Sequence, residues 1–221
     1  MSKDDELVLG FPRAVLDELG SFQGYRHGLN NEVGASYLER ILSAEVASFR
    51  RRGDCETDPS WKQIIPYIAF QHVSVFGQTH VMCYSRTKVS GENRLHGKLS
   101  IGIGGHINPL DGAVCLTNFS FRDTFEQGWR RELLEEVVID ADYTASPIGM
   151  INTDEDEVGR VHFGILMLVQ VSLPCIYPNE PAIGQVHFVP LPSISRPASL
   201  IFGEFETWSQ AVLQSPMAFA R

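Results

Sequence analysis

Positive charge is in short supply in this sequence: 18 lysines and arginines stand against 27 aspartates and glutamates, for a formal net charge of −9. A nucleic-acid-binding surface needs clustered cations to neutralise the phosphate backbone. The longest basic run here is Arg50 to Arg52, which reads better as cations at a helix C-terminus, so nucleic acid is not an expected partner. Cysteine is scarce as well. Cys55, Cys83, Cys115 and Cys175 are far apart and form no C-x-x-C pair, which argues against a structural zinc site or a disulfide framework and points to reduced thiols in a cytoplasmic protein. No stretch approaches the ~18 apolar residues of a membrane span. The acidic start MSKDDELVLG does not read as a signal peptide, and neither membrane contact nor an internal repeat is expected.

With 221 residues and 43% hydrophobic content, the chain suits one globular domain carrying an appendage. The spacing predicts a helical extension over 1–60. Pro12 to Leu19 reads as a short helix stopped by Gly20, and Ser36 with Glu39 as a capping box opening a helix that runs to about Arg51. From Trp61 the pattern turns to β. Ile64 to Ser74 and His80 to Ser85 flank Gly77-Gln78 as a hairpin, and Lys98 to Ile103 alternates into Gly104-Gly105. Val161 to Val171 is too continuously apolar for a strand wetted on one side and is expected at the centre of the sheet. Pro147 to Ile151 and Val186 to Leu191 complete the strands, and Phe205 to Leu213 reads as a closing helix.

The stretch RELLEEVVI, Arg131 to Ile139, carries the chemistry. At about 100° per residue, Glu132, Glu135 and Glu136 fall within roughly 60° on one side of a helix. Trp129, Leu133, Leu134, Val137 and Val138 are expected on the apolar arc. Like charges crowded into one turn call for a counter-charge, and a hard divalent cation with oxygen ligands is the natural one. Gly128 leaves room for a ligand or backbone to approach, and Asp123 to Glu126 reads as the capping box that starts the helix.

These residues resemble the signature of the Nudix hydrolases, G-x5-E-x7-R-E-U-x-E-E-x-G-U, with U bulky and aliphatic. Arg131, Glu132, Leu133, Glu135, Glu136 and Ile139 match its second half. Asp123 stands where the family has glutamate, and Val138 replaces the last glycine. Gly105 is similar to the opening glycine but lies about a dozen residues early, so 108–122 reads as an insertion. The resemblance implies an α/β/α sandwich with a mixed β-sheet in a domain over 61–221. It implies a pyrophosphohydrolase that uses magnesium or manganese to split a small-molecule diphosphate, with nucleoside diphosphate derivatives foremost. Glu132, Glu135 and Glu136 would then be metal ligands, any of them able to take a proton from water; Gly105 would offer a carbonyl, and Arg131 would orient a glutamate.

Further candidates surround this core. Gly104 and His106 adjoin the diphosphate position, His106 either touching a phosphate or serving as a loop histidine. Lys98 and Arg94 are either diphosphate contacts or ordinary exposed charge. Asp154 to Glu157 forms an acidic turn, either solvated or, at Glu155, a source of the general base. His162 reads as a core histidine, and Asp123 as a cap or an outer carboxylate. The insertion, with Val114, Leu116 and Phe119, is expected to set the substrate or a homodimer contact. Two alternatives stand beside hydrolysis: a non-catalytic nucleotide-sensing module, and isoprenyl diphosphate isomerase-like chemistry, for which Cys115 is the cysteine at hand.

Overall fold

The computed structural model describes residues 2–29, 32–87, 97–112, 119–215 and 217–219. In chain order the elements are β1 (Leu7–Pro12), α1 (Ala14–Glu18), β2 (Gly24–His27), α2 (Glu32–Ile41), β3 (Ser48–Arg51), α3 (Arg52–Cys55), β4 (Trp61–Val73), β5 (Thr79–Arg86), β6 (Leu99–Ser100), β7 (Gly102–Ile103), α4 (Phe121–Glu136), β8 (Val137–Ile139), β9 (Tyr143–Asn152), α5 (Glu157–Val161), β10 (His162–Val171), β11 (Ile176–Pro178), β12 (Ile183–Pro190), α6 (Leu191–Ile194) and α7 (Thr207–Leu213).

The spine is β4 beside β10, paired in parallel from His162 opposite Gln63 to Val171 opposite His72. The main sheet runs β12-β5-β4-β10-β9-β2, with β1, β3, β6 and β7 joined at its margins. Parallel and antiparallel neighbours coexist, so the sheet is mixed as expected. β10 is buried at every position except Gln170, which is why its sequence shows no wet face. Alternation along it divides the core. Phe163, Ile165, Met167 and Val169 pack with Leu38 and Ile41 of α2 and with Phe125, Trp129 and Leu133 of α4. Leu166 and Leu168 pack with Trp208, Val212 and Leu213 of α7. Helices therefore cover both faces, giving the α/β/α sandwich.

The segment before residue 60 departs from the helical reading. It supplies β1, hydrogen-bonded to β4 at Gly10, Phe11 and Pro12, β3 against β1, and β2 against β9. These strands are four to six residues long, too short to show periodicity, and their partners lie far along the chain. Leu9 and Phe11 are fully buried in the same core as α4, so the segment is part of the sheet rather than an appendage. Ser36 is inside α2, its hydroxyl donating to the Glu32 carbonyl (2.8 Å), a back-bond open to serine within a helix. Arg50 and Arg51 end β3 and Arg52 opens α3, so the run stands at a helix N-terminus rather than at the C-terminus expected; Arg50 sits over the Trp61 ring, 3.7 Å from its centroid.

Helix α4 begins one turn earlier than expected. Ser120 is the N-cap, its hydroxyl accepting from the Asp123 amide (3.3 Å), so Asp123 occupies the first turn rather than the cap. At the other end the helix stops at Glu136, and Val137 to Ile139 form a strand paired with β11. Leu134 and Val138, expected on the apolar arc, are exposed. None of the described helices is long and apolar enough to cross a membrane.

Candidate active site

The loop after β7 lies directly on α4. Gly104 has φ +153°, and a Cβ there would stand 1.9 Å from the Pro66 carbonyl oxygen, so only glycine fits. At Gly105 a Cβ would meet both Glu132 carboxylate oxygens, at 2.5 and 2.6 Å; the loop backbone thus presses against that acid. The room left by Gly128 is taken by Ile107, whose Cδ1 would be 2.3 Å from an added Cβ. The glycines in these two elements are what let loop and helix meet.

Arg131 locks that meeting. Its Nε and Nη2 donate to the two carboxylate oxygens of Asp111 (2.7 and 3.0 Å), and Nη2 also donates to the His106 carbonyl (2.9 Å). Its Nη1 donates to Glu132 (2.7 Å) and Glu135 (2.8 Å). One guanidinium therefore fixes the loop, the short turn at Pro109–Gly112 and two glutamates together, a use of the arginine fork that lysine could not match. Glu136 differs from its neighbours: among the described residues its carboxylate has no hydrogen bond or ion pair.

These glutamates border a cleft of about 420 Å³ whose wall also includes Gly104, Gly105, Tyr84, Arg86 and Glu180. Burial pushes Glu132 up to about 7 against the opposing pull of Arg131, and burial with the nearby Glu180 and Glu132 charges pushes Glu136 up to about 7. Arg131 is held above its ordinary value, chiefly by its bond to Asp111. The last turn of α4 contains no basic residue, so its acids sit at the negative end of the helix dipole without the usual compensation. An all-oxygen donor set that carries such excess negative charge fits a hard divalent cation.

The other expected site residues divide. His106 lies on the cleft wall with Nε2 3.0 Å from the Gln63 side-chain oxygen. Lys98 is exposed and is not among the cleft's lining residues. Glu155 is exposed and borders a different cleft, with Gln23, Tyr25 and Gln214, so the fold does not bring it to the signature glutamates. Its neighbour Asp154 binds Arg13 through two bonds (2.8 and 2.6 Å), Gln23 (2.8 Å) and Lys62 (3.2 Å); the Arg13 bond holds its carboxyl far below the usual range. Asp156 caps α5 through the Gly159 amide (2.6 Å) and accepts from Thr207 (2.6 Å). All four acids of 154–157 were expected as one cluster, yet Asp154 and Asp156 serve the structure. Arg94, Val114, Cys115 and Leu116 lie outside the described residues.

Three contributors escaped the sequence reading. Asp111 is buried and holds Arg131. Arg86, at the end of β5, brings a guanidinium to the cleft, and its buried Nε has no hydrogen-bond partner among the described residues. Glu206 caps α7 through the Trp208 and Ser209 amides (2.8 and 2.9 Å) and accepts from Tyr67 (2.5 Å), closing the cleft floor. Asp111 acts on a residue 20 positions away and the Glu206 bond to Tyr67 spans 139, so nothing local marks those contacts; the Glu206 cap on α7 is the one local signal that could have been read.

No protein-family model matches the chain. Among curated proteins it is similar to Protein YmaB of Bacillus subtilis (strain 168), 34% identical over 222 residues, covering 96% of this chain and 98% of that one. Among solved structures it is similar to Tm1382, assigned as a Nudix hydrolase, with a TM-score of 0.71 and 27% identity over 95% of this chain and 97% of that one. DR0079 from Deinococcus radiodurans shares the fold more distantly, at a TM-score of 0.50 and 15% identity, over 80% and 93% of the two chains.

Proposed function

The chain belongs to the Nudix hydrolase family, a pyrophosphohydrolase by that membership, and from that premise we propose that its cleft hydrolyses the phosphoanhydride bond of a small-molecule diphosphate, nucleoside-linked or related. The observation that carries this reading is the buried Glu132 with the half-buried Glu136, set near the C-terminal end of α4 beside a cleft of about 420 Å³. A diphosphate resists attack because its own charge repels nucleophiles, so its oxygens need cations and its attacking water needs a base.

Glu132, Glu135 and Glu136, with the Gly105 carbonyl, would hold magnesium or manganese, which when bound polarises phosphoryl oxygens and lowers the pKa of water. Arg131 acts through the glutamates, holding Glu132 and Glu135 in one orientation. Glu136, whose carboxylate no other described residue engages, is the ligand that would also take the proton from the attacking water. Arg86, whose guanidinium lines the cleft, supplies the cation for a phosphate oxygen, a role for which Lys98 was one candidate. His106 flanks the same wall.

The test is turnover on a panel of diphosphates with magnesium and with chelator. Glu136→Gln should lower kcat by about 100-fold, the usual reach of a positioned base, with thermal stability retained. Arg86→Ala should raise KM more than it lowers kcat. Equal rates with and without chelator would sink the hydrolytic reading and leave the sensing module.

A further inference from the structure

The same cleft carries a second set of metal-capable donors that does not belong to the signature. Glu56 follows α3, His106 follows Gly105, and His162 opens β10. One ligand atom from each of these three lies within 4.8 Å of the other two, and all three line the cleft. The residues come from three separate parts of the chain and converge because β4 and β10 run side by side. His162 pairs with Gln63 in that register, and Gln63 in turn bonds His106.

Both imidazoles are oriented from behind. His162 Nδ1 is 2.7 Å from the Val158 carbonyl, which can only accept, so Nδ1 carries a proton, and Nε2 stands 3.9 Å from Glu56 Oε1. His106 Nε2 donates to the Gln63 oxygen at 3.0 Å, leaving Nδ1 as its lone-pair nitrogen. The rings are 5.5 Å apart and tilted by 59° rather than stacked. Metal-ligating histidines characteristically give their other ring N–H to a carbonyl in this way.

We propose that Glu56, His106 and His162 form a binding site for a divalent ion that prefers imidazole, of the zinc or cobalt class, separate from the hard-cation site at the α4 glutamates. Two histidines and one carboxylate with open positions is a donor set of the catalytic zinc type, and imidazole nitrogen disfavours magnesium. At ligand distances of about 2.0–2.1 Å, tetrahedral donors stand roughly 3.3 Å apart. Closing from 4.8 Å is within reach of side-chain torsions. Arg52 Nε lies 3.5 Å from Oε1, the same Glu56 oxygen that faces His162, and would share that oxygen with the ion. The remaining coordination positions open on the cleft, where they would meet an anionic oxygen of whatever occupies it.

The experiment titrates the metal-free full chain with cobalt(II), reading its visible d–d bands, and with zinc(II) by calorimetry. One saturable equivalent with the intense visible bands of a nitrogen-ligated, low-coordinate cobalt is expected, distinct from any ion held by the α4 carboxylates, whose six-coordinate oxygen environment gives only weak bands. Glu56→Gln and His162→Ala should each weaken that equivalent by at least ~100-fold, since even an outer partner costs 10- to 100-fold. Glu136→Gln, which alters the α4 site, should leave the bands in place, so loss of hydrolysis and loss of this ion are separable. His162 is buried, so a melting curve accompanies each variant, and Glu56→Gln alone decides the matter if His162→Ala does not fold. Absence of bands in the wild-type chain, or bands that survive substitution at Glu56, would overturn the site.

Discussion

Arg131 and Asp111 face each other through two parallel bonds, Nε to one carboxylate oxygen at 2.7 Å and Nη2 to the other at 3.0 Å. Asp111 is almost wholly buried, its side chain 4% exposed, and it also accepts from the Asn108 amide (2.9 Å). The pair is therefore the joint between the loop that carries Gly105 and the helix that carries the glutamates. Asp111→Ala leaves the guanidinium short of its partner, and breaking such a pair from one side should cost about 3 kcal/mol. Urea denaturation should show the lower midpoint, and turnover should fall with it. Arg131→Lys keeps the charge without the fork and should lose turnover while losing less stability. Wild-type behaviour in both variants would show that the joint is not needed.

Glu132 and Glu136 make a pH prediction for the metal-free protein. Their folded values, raised to about 7, exceed those of an unfolded chain, so the folded state binds more protons across the interval between. Their contribution is fully present at low pH and is lost as pH rises through about 7. With chelator present, the double variant Glu132→Gln, Glu136→Gln should melt higher than wild type above pH 7 and converge with it near pH 4. Magnesium should raise the wild-type melting temperature more at pH 8 than at pH 5, because the ion competes with those protons. A pH-independent difference between the two proteins would rule this account out.

Gly105→Ala tests the contact between loop and acid. The added Cβ would fall 2.5 Å from a Glu132 oxygen, and the carboxylate, being the end of a side chain, can swing away. Stability should change little, while magnesium affinity should drop about tenfold or more, as for other displaced supports of a ligand. Calorimetric magnesium titration separates this from a folding defect, and unchanged affinity would count against Glu132 as a ligand.

Within the acidic turn, opposite outcomes are expected at adjacent positions. Asp154 faces Lys62, whose side chain is 0% exposed; removing the acid strands a buried ammonium and should cost about 3 kcal/mol in unfolding free energy. Glu155→Ala, on another cleft, should leave both stability and kcat at wild-type values. A large loss of kcat at Glu155 would restore it as a base.

What the sequence disclosed followed from how local each signal was. The spacing of Glu132, Glu135 and Glu136 is a property of one helix, and the unbroken apolarity of β10 is a property of one strand, so both could be read from neighbours alone. Asp111 could not, because its value comes from a partner 20 residues on. Arg86 and Lys98 are both cations near strand ends, and only the pairing of β5 with β6 and β12 decides which of them reaches the cleft. The helical expectation for 1–60 failed where β1 and β3 gain their hydrogen bonds from each other and from β4. Ser120 displaced Asp123 as the cap because either residue satisfies the local rule, and the docking of Phe125 and Trp129 selects the register.

The Glu206 cap has a consequence for the order in which this protein can be made. Tyr67, on the spine strand, hands its hydroxyl to an acid that precedes the closing helix, and Ser100 and Ser209 share the same knot. A ribosome releases Tyr67 and Ser100 long before it releases residues 206–213, so the nascent chain carries an incomplete cleft floor through most of its synthesis. The glutamates of α4 are likewise present before the wall opposite them exists. Catalytic competence should therefore arrive in one late step, after translation has passed α7, rather than growing as the sheet assembles.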